Sequence, residues 1–200
     1  MNAKEYWESI YKTKADDSLS WTQPEPALSL KLIAQACTSG RVLDVGGGCS
    51  VLTDRLIERG YSVTVLDISQ AALDRARAYL GNRALLVRWL VADITSTAIL
   101  DACDVWHDRA VFHFLTEPAQ RAAYKTSLLQ ALSVGGHAVI GTFALDGPEK
   151  CSGLPVQRYS PTSLAAELGP QLTLLTSEQE THLTPWGASQ SFQFSLFKRV

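Results

Sequence analysis

Charge is scarce in this chain of 200 residues: Asp, Glu, Lys and Arg together make up 19%, and 18 basic against 20 acidic side chains leave a formal net charge of −2. Neither sign gathers into a run of five or six, so the sequence offers no electrostatic footprint for a nucleic-acid backbone, and DNA and RNA are not expected partners. The four cysteines, Cys37, Cys49, Cys103 and Cys151, form no C-x-x-C pair. That spacing argues against a zinc or dithiol site, and no metal is expected. Long apolar runs are missing too. Nothing near the start has the length of a signal-peptide core and no window approaches eighteen uninterrupted apolar residues, so neither export nor a membrane partner is expected, and the reduced cytoplasm is the expected compartment. Repeats and low-complexity tracts are absent from the sequence.

What is present is apolar. Hydrophobic residues make up 46%, and a chain of this length buries about 70% of the surface it exposes unfolded, so one domain can hold a core without staples. From residue 41 short strand patterns alternate with helix patterns for about a hundred residues. Arg41-Val-Leu-Asp-Val45 runs into Gly46-Gly47-Gly48; Val51 to Arg59 reads as a helix stopped by Gly60; Tyr61 to Leu66 is a β-branched strand; Ser69 caps a helix running to Leu80 before Gly81. Leu85 to Val91 and Asp104 to His107 predict two more strands, Glu117 to Leu132 a helix, and His137 to Phe143 a fifth strand. Such alternation predicts an α/β fold, a parallel sheet with helices on both faces, whose ligands bind outside the carboxyl ends of the strands.

The flanks read differently. Residues 3 to 12 place Tyr6, Trp7, Ile10 and Tyr11 on one face of a short helix, and Thr22-Gln-Pro-Glu25 has the pattern of a capping box opening a second helix through Leu28, Leu32 and Ile33. Residues 144 to 159 show no period, as binding loops often do. Ser160-Pro161 opens another helix, and Gln190 to Val200 alternates as a strand. The chain thus divides into an N-terminal helical lid (1–40), a core (41–143) and an acceptor-side loop with C-terminal strands (144–200) within a single domain.

The chemistry is carried by strand ends. Glycines after the first strand let a ligand approach backbone, and Asp67, 19 residues beyond Gly48, is placed to accept from a ribose diol. Asp93-Ile94 follows the third strand, where a carboxylate can accept from an adenine amine and an isoleucine can pack on the ring. A dinucleotide fingerprint needs a third small residue where Val51 stands, and no G-K-[ST] follows, so NAD and a P-loop are disfavoured.

Residues 41 to 143 resemble the class I S-adenosylmethionine-dependent methyltransferases, through Leu43-Asp44-Val45-Gly46-Gly47-Gly48, Asp67, Asp93-Ile94 and Gly135-Gly136. The central Gly47 departs from the Cys or other small residue of many relatives. The resemblance implies a Rossmann-like sheet of seven strands, mostly parallel with the last antiparallel. It also implies S-adenosyl-L-methionine as cofactor, held by Trp21, Asp44, Gly46, Gly47, Gly48, Asp67, Ile68, Asp93, Ile94 and His107. A more local likeness, in Tyr6-Trp7-Glu8, Leu19-Ser20-Trp21 and His107-Asp108-Arg109-Ala110, is to lysine methyltransferases that modify elongation factor 1A or citrate synthase. Their Asp-Lys-Gly signature reads Asp108-Arg109-Ala110 here.

The leading expectation is methyl transfer to a small-molecule nucleophile, a thiol, sulfide or amine. Protein lysine methylation is the alternative, and a non-catalytic cofactor-binding partner subunit the second. Asp108, His107 and His113, at or just past the fourth strand, are the candidate catalytic groups, because an amine acceptor needs a carboxylate or imidazole to take its proton. Two of them have a plainer reading: His113 as a core histidine within an apolar run, and Asp108 as an ion-pair partner of Arg109. Trp7 and Trp21 fit either a staple for the N-terminal helices or a dry cover over a sulfonium.

Overall fold

In Arg41–Val45 (β1), Ser62–Asp67 (β2), Val87–Val91 (β3), Cys103–Arg109 (β4) and Leu132–Phe143 (β5) the chain builds a parallel sheet from β-branched and apolar stretches. The computed structural model describes residues 2–15, 18–96 and 100–200. Two short strands, Lys150–Cys151 (β6) and Leu154–Pro155 (β7), pair with each other, and Leu172–Leu183 (β8) and Ser189–Arg199 (β9) complete the main sheet. Its seven strands run in the order β3-β2-β1-β4-β5-β9-β8. The last strand, β9, lies antiparallel to both β5 and β8. Strand order reverses between β1 and β4, where Val45 is level with Asp108. The residues that follow, Gly46 just past β1 and Arg109 at the end of β4, therefore lie side by side at the edge where such sheets bind ligands.

Alternation along the strands separates two cores. Val42, Val63, Val65, Val105 and Val139 face Ala27–Ala36 (α2), Leu52–Glu58 (α3) and Gln70–Leu80 (α4), through Leu32, Ile33, Leu56 and Leu73. Leu43, Val45, Trp106, Ala138 and Ile140 face Pro118–Ala131 (α5) and Pro161–Leu168 (α6), through Tyr124, Leu128, Leu164 and Leu168. Burying one such aliphatic side chain is worth about 1.5–3 kcal/mol, so the two faces together fix the register of the central strands. The first helix, Ala3–Thr13 (α1), lies outside both layers, and its Tyr11 packs with Leu19 and Ala72 near Trp7 and Trp21.

Several local expectations shift. Thr22–Glu25 does not cap a helix: α2 begins at Ala27, after Pro26, with no side-chain cap. Gln23 and Glu25 each precede a proline, which steers them out of helical backbone, and their side chains instead reach Glu180 and Arg55. Ser69 does cap α4, its Oγ accepting from Ala72 N at 3.2 Å. Residues Gly81–Leu86 wind into a 3₁₀ turn, so β3 starts at Val87 rather than at Leu85, which is 88% exposed. β5 starts at Leu132, five residues early, because a bulge takes up the chain between the pairings Cys103–Leu132 and Val105–His137. Gly135 sits in that bulge at φ +81°. The C-terminal region holds two long strands where the pattern showed one; β8 lies at the sheet edge with most of its side chains exposed, which hides it from a hydrophobic reading.

Candidate active site

The turn after β1 is drawn against the end of β2, with Gly46 N and Gly47 N both donating to the Leu66 carbonyl, at 2.6 and 3.3 Å. Gly46 and Gly48 have φ of +65° and +51°. A Cβ on Gly46 would lie 2.1 Å from Val111 Cγ2, and one on Gly48 2.6 Å from the Tyr11 hydroxyl. Glycine is required here by backbone conformation and by what packs on the turn.

Asp67 ends β2 beside this turn, accepting from Gly48 N at 3.0 Å and from Ser69 N at 2.8 Å. Burial pushes its carboxyl up to about 7, against the pull of those two N–H groups. Asp93 accepts from Thr95 N and Thr95 Oγ1 through Oδ1, and Ile94 is buried next to it. Asp67, Ile68, Asp93 and Ile94 all line one cavity of about 360 Å³, together with Gly46 and Trp21. That volume falls in the range of small-ligand sites.

A second cavity of about 190 Å³ adjoins it, sharing Tyr11, Trp21, Gly46 and Arg109, and is lined also by Gly47, Asp44, His107 and Ser29. His107 Nδ1 lies 2.7 Å from Asp44 Oδ1, with the ring N–H donating, and Nε2 lies 2.9 Å from the Ser29 hydroxyl. Asp44 Oδ2 is buried and has no hydrogen-bond partner among the described residues. A buried carboxylate oxygen left this way is costly unless a donor arrives from a ligand, and it suits the ammonium of an amino-acid group. With the glycine turn and the acids ending β2 and β3, the site fits S-adenosylmethionine.

The other wall of the large cavity comes from segments distant in sequence. Trp7 meets Trp21 edge-on at 5.6 Å and Phe114 at 5.1 Å between ring centroids, and Tyr11 meets Trp21 at 5.9 Å. Cys151, Leu154 and Pro155, from β6 and β7, close the same wall. Burial pushes the Cys151 thiol up to about 11, so it stays protonated.

Of the three candidate catalytic groups, His107 lines the smaller cavity, and Asp108 and His113 line neither. Asp108 is fully buried and faces away from the cavity, because adjacent strand residues point to opposite sides. Its carboxylate accepts from Val111 N, Phe112 N and the Tyr124 hydroxyl, and that hydroxyl in turn accepts from Trp106 Nε1 at 2.8 Å. Burial holds the Asp108 carboxyl up at about 6. No ion pair joins it to Arg109, since the same alternation sends the two side chains apart. His113 is buried among Phe114, Phe143 and Phe192, its Nδ1 accepting from Phe143 N, and burial lowers it to about 3, so it is neutral at ordinary pH. His107 reaches the smaller cavity only, locked between Ser29 and Asp44.

Arg109, read from sequence only as a partner for Asp108, instead lines both cavities. Strand alternation, which puts residue 109 on the same face as 107, is the signal that finds it.

Residues 42–136 match the model of a methyltransferase domain family. The 2-heptyl-1-hydroxyquinolin-4(1H)-one methyltransferase of Mycobacteroides abscessus is 31% identical over 167 residues, an alignment covering 76% of this chain and 72% of that protein. Among solved structures, the chain superposes with a TM-score of 0.78 on a protein described for the conversion of a disulfide bond into a thioacetal group during echinomycin biosynthesis, at 21% identity and covering 99% and 92% of the two chains. It superposes with a TM-score of 0.75 on the N-methyltransferase NodS of Bradyrhizobium japonicum WM9, determined with S-adenosyl-L-homocysteine, at 16% identity and 99% of both chains. These two likenesses are of fold. The sequence relationship to the mycobacterial enzyme, on a fold and glycine turn that agree with it, makes this chain a member of the class I S-adenosylmethionine-dependent methyltransferases, with S-adenosylmethionine as its methyl donor.

Proposed function

We propose that this enzyme methylates a small, flat molecule through a thiol or sulfide, or through an amine, within the 360 Å³ cavity. The observation that carries this reading is the composition of the far wall. Trp7, Trp21, Tyr11 and Phe114 converge with Leu154 and Pro155 around a concave, largely apolar space of a size suited to a small ligand. The acceptor named for the mycobacterial relative is itself a small heteroaromatic, which supports the same reading.

Bound there, S-adenosylmethionine supplies a methyl group already activated by its sulfonium sulfur. The chain then has to align the acceptor and keep water out. In this reading Asp67 and Ile68 hold the ribose end, Asp93 and Ile94 the adenine, and Asp44 with Gly46, Gly47 and Gly48 the amino-acid end. His107 is a positioning residue, holding Asp44 through one ring nitrogen while Ser29 holds the other. Trp21 and Trp7 form part of the dry cover, and residues 1–40 act as the lid. Tyr6 reaches across to the Ser152 carbonyl, and Glu8 accepts from Ser69 Oγ and Ala71 N, so α1 ties the cover to both walls.

Asp108 and His113 are assigned structural work. A thiol, whose unperturbed pKa is about 8.5, sheds its proton with little help and asks least of a wall that holds neither of them.

A coupled assay for S-adenosylhomocysteine, run with thiols including sulfide, amines, hydroxylated heteroaromatics and fractionated protein, tests the proposal. Turnover with at least one small acceptor is the expected result. Turnover with protein fractions alone would overturn it in favour of lysine methylation, S-adenosylmethionine binding without turnover of any acceptor would favour a non-catalytic cofactor-binding partner subunit, and absence of that binding by calorimetry would sink the methyltransferase assignment.

A further inference from the structure

We propose that Arg109 anchors an anionic group carried by the methyl acceptor. The inference rests on the small-molecule reading above and names the class of molecule: an aromatic thiol or amine that also carries a carboxylate.

Arg109 is the last residue of β4, at the reversal of strand order. Its guanidinium is sealed from water on the protein side. Nη1 donates to the Trp21 carbonyl at 2.9 Å, and the guanidinium carbon lies 4.9 Å from the centre of the Phe192 ring. Nε and Nη2 are buried and have no hydrogen-bond acceptor among the described residues. Burial lowers the group to about 10, partly offset by the charge of Glu180, so it remains a cation at neutral pH. The Glu180 carboxylate is taken up at Oε2 by Gln23 Nε2, at 3.0 Å.

A buried cation with two idle N–H groups is a costly arrangement. Nε and one Nη of a guanidinium form the fork that grips a carboxylate through two parallel hydrogen bonds, and here neither member of such a fork, Nε or Nη2, has an acceptor among the described residues. Trp21, Trp7 and Phe114, which line the same cavity as Arg109, suit a flat apolar body attached to that anionic head. Holding the head fixes where the reacting atom of the acceptor lies, which is the alignment that methyl transfer needs.

One competing source of the same chemistry is the carboxylate of the cofactor's own amino-acid end, and the test separates the two. Calorimetry on the full chain saturated with S-adenosylhomocysteine compares benzoate with benzamide, its neutral isostere. Benzoate is expected to bind at least tenfold more tightly. Arg109→Gln is expected to abolish that preference, bringing the two probes within threefold of each other, while affinity for S-adenosylhomocysteine changes by less than threefold. Arg109→Lys, which keeps the charge and loses the fork, is expected to retain part of the preference.

Equal binding of the two probes to the parent chain, or binding of neither, overturns the proposal without any variant having to fold. A loss of tenfold or more in S-adenosylhomocysteine affinity in Arg109→Gln, with the benzoate preference intact, overturns it in favour of the cofactor's carboxylate. S-adenosylhomocysteine binding is read separately in every sample. Its absence from the parent chain defeats the methyltransferase reading itself, whereas its presence without a benzoate preference defeats only the role of Arg109.

Discussion

The two walls of the large cavity are built by opposite means. The wall of the glycine turn is local: backbone N–H groups of Gly48 and Ser69 donate to Asp67, and that of Gly46 to the Leu66 carbonyl, all within two consecutive strand ends. The facing wall is assembled from α1, the segment around Trp21, the turn at Phe114, and β6 and β7, joined by edge-on aromatic contacts and by a few hydrogen bonds between distant segments, such as that of Tyr6 to the Ser152 carbonyl. A hydrogen-bonded turn tolerates almost no change of shape, while an apolar wall can repack around different ligands. The first wall therefore suits an invariant cofactor and the second a variable acceptor.

Substitution at the turn should produce the largest effect and test that contrast most severely. Gly46→Val combines a backbone at φ +65° with a side chain driven into Val111, and strain plus overpacking of this kind costs about 2–6 kcal/mol. Calorimetry is expected to show S-adenosylmethionine affinity lowered more than a hundredfold. Binding within threefold of the parent would mean the turn is not where the cofactor lies.

Asp67→Ala is next. Losing a charge-assisted hydrogen bond of about 1.5–3 kcal/mol should weaken cofactor binding about 10- to 100-fold. The parent chain also has a pH signature. Because the Asp67 carboxyl is held up at about 7, and the carboxylate is the stronger acceptor, affinity should rise from pH 6 to pH 8. Asp67→Asn should be flat across that window.

Asp108→Asn should separate architecture from chemistry. It weakens a buried acceptor of two backbone N–H groups and the Tyr124 hydroxyl, which costs about 1–3 kcal/mol of stability in denaturant unfolding. The KM for acceptor is expected to stay within threefold of the parent, and a loss of kcat beyond tenfold in a sample still fully folded would return Asp108 to the chemistry.

The smallest effect is expected at His113. Its folded pKa, about 3, lies below the unfolded value near 6.5, so the unfolded chain binds the extra proton between those two values. Its contribution to stability is thus complete above pH 6.5 and is lost as pH falls toward 3, with a limiting slope of about 1.4 kcal/mol per pH unit. His113→Asn should therefore lose stability less steeply than the parent on acidification from pH 6.5 to 4, with turnover per folded molecule unchanged within threefold. An unaltered pH slope would show that His113 is not buried neutral.

The same contrast explains what could be read without coordinates. The glycine turn, Asp67, the Ser69 cap and the central strands were legible because each is a short-range pattern with a local physical cause. The aromatic wall was half legible: Trp7 and Trp21 stood out by residue type, but nothing local joined them to Phe114 or to Leu154. Asp108 and His113 stand next to the end of β4 along the chain, which is all that a local pattern can show of them. A strand, though, sends neighbours to opposite faces, and a 3₁₀ turn carries His113 into the core.

By itself, the sequence determined the α/β alternation and the strands that meet at the carboxyl edge, because glycine conformation, capping and hydrophobic period act over a few residues, and its resemblance to the class I methyltransferases implied the cofactor to expect there. Only the tertiary structure decided which polar groups face the cavity. Pairing Val45 with Asp108 brings the ends of β1 and β4 together, and packing then surrounds Arg109 with Trp21 and Phe192, residues 88 and 83 positions away. Whether that cation finds a carboxylate or keeps two N–H groups for a ligand depends on partners that no local pattern contains.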